Sequence, residues 1–98
     1  MSYKIKVLEK FKEQVRELDK KSKKIIENKI LLIKENPFRF KRLNTKHLSR
    51  VFRVRLNVQS KETRLIYAVL EPNIILVCLL ERKKDYKDLE KYISKLKT

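Results

Sequence analysis

Residues 51–58 alternate: Phe52, Val54, Leu56 and Val58 fall on one face of an extended chain, Arg53 and Arg55 on the other. This is the pattern of a half-buried strand. A shorter alternation, Tyr3, Ile5 and Val7 with lysines between them, predicts a first strand over 3–7 with those three side chains facing inward. The period then changes. Phe11, Val15 and Leu18 recur at helical spacing, as do Ile26, Ile30 and Ile33 after a break at 19–22, so two amphipathic helices form a hairpin. Asn36 and Pro37 end the second helix, because a proline disfavours the helical conformation in the residue before it. That helix is apolar nearly all round over 30–33, which predicts a place between the sheet and the first helix rather than on the surface.

Residues 38–50 show no clear period and read as a basic loop with room for a helical turn. Further strands are predicted at 51–58, 63–71 and 74–80. The connections at 59–62 and 72–73 are short enough only for hairpins, hence an antiparallel meander. The stretch 74–80 is apolar without alternation, which predicts cover on both of its faces. Tyr86, Leu89, Ile93 and Leu96, at spacings of three and four, predict a closing helix. The order β-α-α-β-β-β-α makes an α+β fold, with a helical hairpin on a mainly antiparallel twisted sheet and a C-terminal helix closing it. Without repeats or a linker, the 98 residues form one domain, 1–98, around one modest core.

Charge changes the picture. Lysine and arginine number 27 against 12 acids, a formal net charge of +15, and such a field attracts polyanions at the cost of self-repulsion in the folded state. The excess is concentrated at 39–64, where nine cations face Glu62 alone. The helical regions mix both signs, at 9–17 and again at 88–91, as solvated helix faces do. The middle of the chain is therefore the better candidate for an acidic partner. Arg53 and Arg55, two residues apart on one strand face, repel each other and favour a bound polyanion, with nucleic acid the natural choice. Lys41, Arg42, Lys46 and Lys61 are read as phosphate contacts that give affinity and salt dependence.

Other residues narrow the chemistry. Cys78 lies in an apolar run and, as the one cysteine, cannot form an internal disulfide; it reads as a small buried hydrophobe. Tyr67 reads as core, and His47, the only imidazole, as a surface loop residue. No Cys/His cluster, carboxylate pair or glycine-rich loop supports metal, nucleophilic or nucleotide chemistry, so neither metal nor cofactor is expected. The first ten residues carry no apolar signal core, and no apolar run approaches the ~18 residues that span a bilayer. A cytoplasmic protein without a membrane partner is expected.

Taken in order, several motifs resemble the RelE/ParE superfamily of toxins from prokaryotic toxin–antitoxin pairs, over nearly the whole chain. They are the helical hairpin ending in Asn36 and Pro37, the loop with Lys41, Arg42 and Leu43, and the aromatic-basic-X-basic strand from Phe52 to Arg55. After these come Arg64, Leu65, Ile66 and Tyr67 in a row, then Arg82 with Tyr86 four residues on. The RelE branch implies a metal-independent endoribonuclease that cleaves messenger RNA in the ribosomal decoding site, inhibits translation and is held inactive by a cognate antitoxin. Carried over by position, the catalytic residues implied are Arg53, Arg55, Arg64, Arg82 and Tyr86. The arginines would stabilise the phosphorane formed when a ribose 2′-OH attacks the adjacent phosphate.

Four features qualify that reading. Arginines can clamp phosphate but cannot serve as the base, whereas a desolvated lysine, present at this strand in some members, can. Glu81, before Arg82, is either an acceptor for the 2′-OH proton or an ion-pair partner that orients Arg82 or Arg64. Tyr86 either protonates the leaving 5′-oxygen or packs at the first turn of the last helix. The turn before Arg64 also lacks glycine and looks about two residues longer than in typical members. The alternatives are a ParE-type non-enzymatic toxin that binds DNA gyrase and a plain RNA- or ribosome-binding domain.

Overall fold

The computed structural model describes residues 3–46, 48–81, 87–94 and 96, and for 87 and 88 the backbone alone. In chain order the elements are β1 (Lys4–Val7), α1 (Glu9–Arg16), α2 (Lys20–Glu35), β2 (Lys41–Leu43), β3 (Val51–Val58), β4 (Lys61–Leu70), β5 (Asn73–Glu81) and α3 (Lys87–Ser94). The strands make one sheet in the order β1-β5-β4-β3-β2. β1 runs parallel to β5, and every other pairing is antiparallel. The α+β architecture predicted from periodicity is present, with one addition. Lys41–Leu43, expected to be loop, is a short edge strand on β3. Three residues are too few to show a period, and strand pairing rather than local pattern fixes them.

Alternation along the strands divides the apolar side chains between the two sheet faces. Phe52, Val54, Leu56 and Val58 join Leu65, Tyr67 and Val69 on one face, under Phe11 of α1 and Ile26 and Ile33 of α2. On the other, Ile66, Ala68, Ile75, Val77 and Cys78 pack against Leu89 and Ile93 of α3. Both faces of β5 are covered, as its unbroken apolar run predicts. A shift in register against β4 between Ile66 and Tyr67 explains why that run does not alternate cleanly, since Val77 and Cys78 both join the α3 cluster.

The hairpin begins at Asp19, whose carboxylate accepts the Ser22 backbone N–H at 2.8 Å and so caps α2. That hydrogen bond holds the Asp19 pKa below the usual carboxylate value. α2 is not sandwiched between α1 and the sheet. Leu31 is 62% exposed, so one of the four apolar residues at 30–33 faces water and the helix covers the sheet from outside. α1 contributes an unusual contact. β1 pairs with β5 only as far as Leu76, and the Gln14 side-chain amide continues the ladder, donating to the Leu79 carbonyl at 2.9 Å and accepting its N–H at 2.7 Å.

Two local features set the sheet geometry. β3 turns into β4 through Gln59 and Ser60 alone, both with positive φ (51° and 64°), as a two-residue hairpin of the I′ kind requires. The connection is thus two residues, not four, and β4 begins at Lys61. The second feature joins two of the sequence motifs. The buried Tyr67 hydroxyl donates to the Pro37 carbonyl at 2.6 Å, while its ring stacks on Phe52 with centroids 5.3 Å apart. Burial pushes the Tyr67 phenol far above its ordinary pKa, so it remains a donor at any physiological pH.

Tyr67→Phe leaves the Pro37 carbonyl without this donor and is expected to destabilise the fold by about 1–3 kcal/mol in urea unfolding; an unchanged midpoint would show that the bond contributes nothing. Ser60→Gly relieves a left-handed non-glycine residue and is expected to raise stability by about 1 kcal/mol. A loss of stability in the same assay would mean that Ser60 is not strained.

Candidate functional site

Register places four cations side by side. Arg53 and Arg55 share the β3 face opposite Val54 and Leu56; Lys41 of β2 pairs with Arg53, and Arg64 of β4 pairs with Arg55. Paired residues on a sheet face hold their Cβ atoms ~5 Å apart, and like charges at that range oppose folding. Arg53 and Arg64 are half-buried, Lys41 and Arg55 exposed. Among the described residues, α3 covers the apolar part of this sheet face, over β4 and β5, and does not cover the cationic part.

The open part is a groove of about 540 Å³. Its floor is the cationic quartet, Leu43 and Leu89 add apolar surface, and Asn44, Thr45 and Glu90 complete the lining. The loop after β2 is braced twice. The Thr45 hydroxyl donates to the Leu48 carbonyl, and the Lys46 backbone N–H donates to the Glu90 carboxylate, with N–O distances of 3.1 and 3.4 Å to its two oxygens. A fixed array of guanidinium and ammonium groups on a concave surface is suited to phosphodiester oxygens, which guanidinium can bind in a bidentate manner.

Several residues singled out in the sequence are not part of this groove. Glu81 pairs with Thr63, which pairs with Leu56, so its side chain belongs to the helical-hairpin side of the sheet. There it lies 3.8 Å from Lys61, in an exposed and therefore weak ion pair. Neither Glu81 as a base at the quartet nor Glu81 as the partner of Arg64 fits that placement. Lys61, paired with the core residue Val58, shares that side, so it does not extend the quartet. Arg42 pairs with Phe52 and also points away from the quartet, its Nε donating to the Ser49 carbonyl at 2.6 Å. Lys46 is exposed and reaches the site only through its backbone. Arg82, Tyr86 and His47 lie outside the described residues.

Conversely, Asn44 and Glu90 line the groove and had no distinguishing sequence signal. Glu90 sits in a mixed-charge helix stretch that reads as solvated, and only its position after Leu89 hints that it flanks a packed face. Among the described residues there is no cluster of His, Cys, Asp or Glu able to hold a metal ion, and no helix is long and apolar enough to cross a membrane.

No protein-family model matches the sequence, and no curated protein sequence matches it. Solved structures do. The chain is similar to a mutant of the E. coli toxin RelE in the free state, at 17% identity over 98% of both chains with a TM-score of 0.70. It is similar to the isolated E. coli RelE toxin at 14% identity, over 97% of this chain and 99% of that one, TM-score 0.68. It also matches the intact E. coli RelBE toxin–antitoxin complex at 15% identity, over 85% of this chain and 100% of that one, TM-score 0.69. The fold is that of a RelE-type toxin, in agreement with the resemblance read from the sequence.

Facing like charges within the quartet oppose folding. Arg55→Thr is therefore expected to stabilise the protein by about 0.2–1 kcal/mol at low ionic strength, and the gain should vanish near 1 M salt, where the screening length is about 3 Å. Urea unfolding at both salt concentrations checks this; a gain that persists at high salt would point to strand propensity instead of repulsion.

Proposed function

We propose that this protein is the toxin of a toxin–antitoxin pair and acts as a metal-independent endoribonuclease on messenger RNA in the ribosomal decoding site. The observation that carries the reading is the open cationic quartet of Lys41, Arg53, Arg55 and Arg64, on a fold shared with the E. coli toxin RelE. In-line attack forms the bond from the 2′-oxygen to phosphorus and breaks the bond to the 5′-oxygen. A base takes the 2′-hydroxyl proton, an acid protonates the departing 5′-oxygen, and a 2′,3′-cyclic phosphate or its 3′-phosphate hydrolysis product remains. Negative charge grows on the phosphorane, where fixed guanidinium groups bind it more tightly than the ground-state diester.

By the family resemblance, Arg82 adds to the phosphate clamp and Tyr86 is the acid. Glu81 lies on the far side of the sheet, and in this reading the base is a ribosomal or substrate group. The cognate antitoxin would place acidic and apolar segments over the basic face and mask the groove. A complex of toxin with antitoxin is known for the structurally similar E. coli RelBE pair.

In vitro translation with the protein added, followed by primer extension along the messenger, tests this. Ribosome-dependent cuts are expected, with Arg53→Ala and Arg64→Ala each lowering the cleavage rate by about 10²–10³ while remaining folded. An intact messenger under conditions where the protein still arrests growth would sink the nuclease reading, and a gyrase supercoiling assay would then test a ParE-type action.

A further inference from the structure

The groove has two chemically different sides. The polar groups that the sheet supplies are all cations, whereas the loop after β2 and the flank of α3 supply Asn44 and the carboxylate of Glu90. A phosphate cannot settle beside a carboxylate, so the two sides cannot both belong to a backbone-tracking surface. Glu90 is also held in place, since the Lys46 backbone N–H bonds its carboxylate from the loop side. Each carboxylate oxygen can accept more than one hydrogen bond, so this contact fixes the group without exhausting it. The half-buried Leu43 offers apolar surface to a flat ring, and about 540 Å³ suits a ligand of nucleotide size.

We infer that Glu90, with Asn44, is a base-reading wall opposite the phosphate floor, and that it selects nucleotides whose base carries an exocyclic amine, against uracil. This rests on the RNA-binding reading of the same groove. A carboxylate only accepts hydrogen bonds, so it requires N–H donors. Adenine, cytosine and guanine each present an amino group on the edge that single-stranded RNA exposes. Uracil presents one N–H flanked by two carbonyl oxygens, which confront the carboxylate oxygens. The Asn44 amide can donate to the ring nitrogen beside the amine of adenine or cytosine while Glu90 accepts from the amine itself. Glu90 is therefore a specificity determinant, not part of the bond-breaking machinery.

Fluorescence anisotropy with labelled single-stranded oligomers of A, C and U, equal in length and at fixed salt, tests the inference in the intact protein. The wild type is expected to bind oligo-A and oligo-C about 5–10-fold more tightly than oligo-U, the low end for a good base contact. In Glu90→Gln the side-chain carbonyl still accepts the Lys46 N–H, and the new amide NH2 can donate to a uracil carbonyl. The preference should collapse through tighter binding of oligo-U, with the salt slope unchanged because the phosphate contacts are intact. Equal wild-type affinities would overturn the inference, as would a uniform loss of affinity in Glu90→Gln, which marks a structural brace. Failure to bind any oligomer would also overturn it, while the ribosomal cleavage assay judges the nuclease reading on its own.

Discussion

The site depends on the register of β3 against β4. Arg55 meets Arg64 because the chain reverses in two residues at Gln59 and Ser60, and Arg53 meets Lys41 across the separate pairing of β2 with β3. Side chains alternate with a period of two, so a slip of one residue would send Arg53 and Arg55 under the helices and bring Val54 and Leu56 into water. The magnitudes make that slip prohibitive. Each large apolar side chain that stays buried contributes about 1.5–3 kcal/mol, whereas each pair of facing like charges costs about 0.2–1 kcal/mol. Val54, Leu56 and Val58 are all nearly inaccessible. The hydrophobic face of β3 thus imposes an arrangement on the polar face that the cations themselves resist.

The other strands extend this arrangement. Tyr67 of β4 reaches across to the turn at Pro37, so the end of α2 is tied to the same strand that carries Arg64. Phe52 stacks on that tyrosine and is itself met edge-on by Phe38. Two stretches that look unrelated in sequence, the proline stop and the run ending in tyrosine, are one packed joint in space. On the opposite face α3 occupies only the apolar half. The boundary between covered core and open groove therefore falls between the Ile66 and Ala68 side of β4 and the cations of β3.

How far the sequence reveals all this follows from the range of each interaction. Alternation over eight residues identifies β3 and puts Arg53 and Arg55 together, because strand geometry is local. The helices are equally legible from Phe11, Ile26 and Ile33. What failed is long-range. Lys41–Leu43 becomes a strand only because β3 is beside it. The exposure of Leu31 depends on where α1 lies relative to α2. Glu81, adjacent in sequence to Arg82, looked like a neighbour of the arginines, yet parity on β5 sends it to the far face with Lys61. Glu90 shows the reverse, since a helix residue that reads as solvated is brought to the groove by the packing of Leu89 and Ile93.

The two ends of the sheet carry a further consequence. β1 is four residues long and β2 three, and both are lined with exposed cations: Lys4 and Lys6 on one, Lys41 and Arg42 on the other. Between them run β4, apolar from Leu65 to Leu70, and β5, apolar from Ile74 to Leu80, runs of the kind that recruit further strands when an edge is left bare. Short, mutually repelling borders prevent one copy of the sheet from continuing into the next. The charge on these borders therefore also acts against edge-to-edge aggregation of the protein with copies of itself.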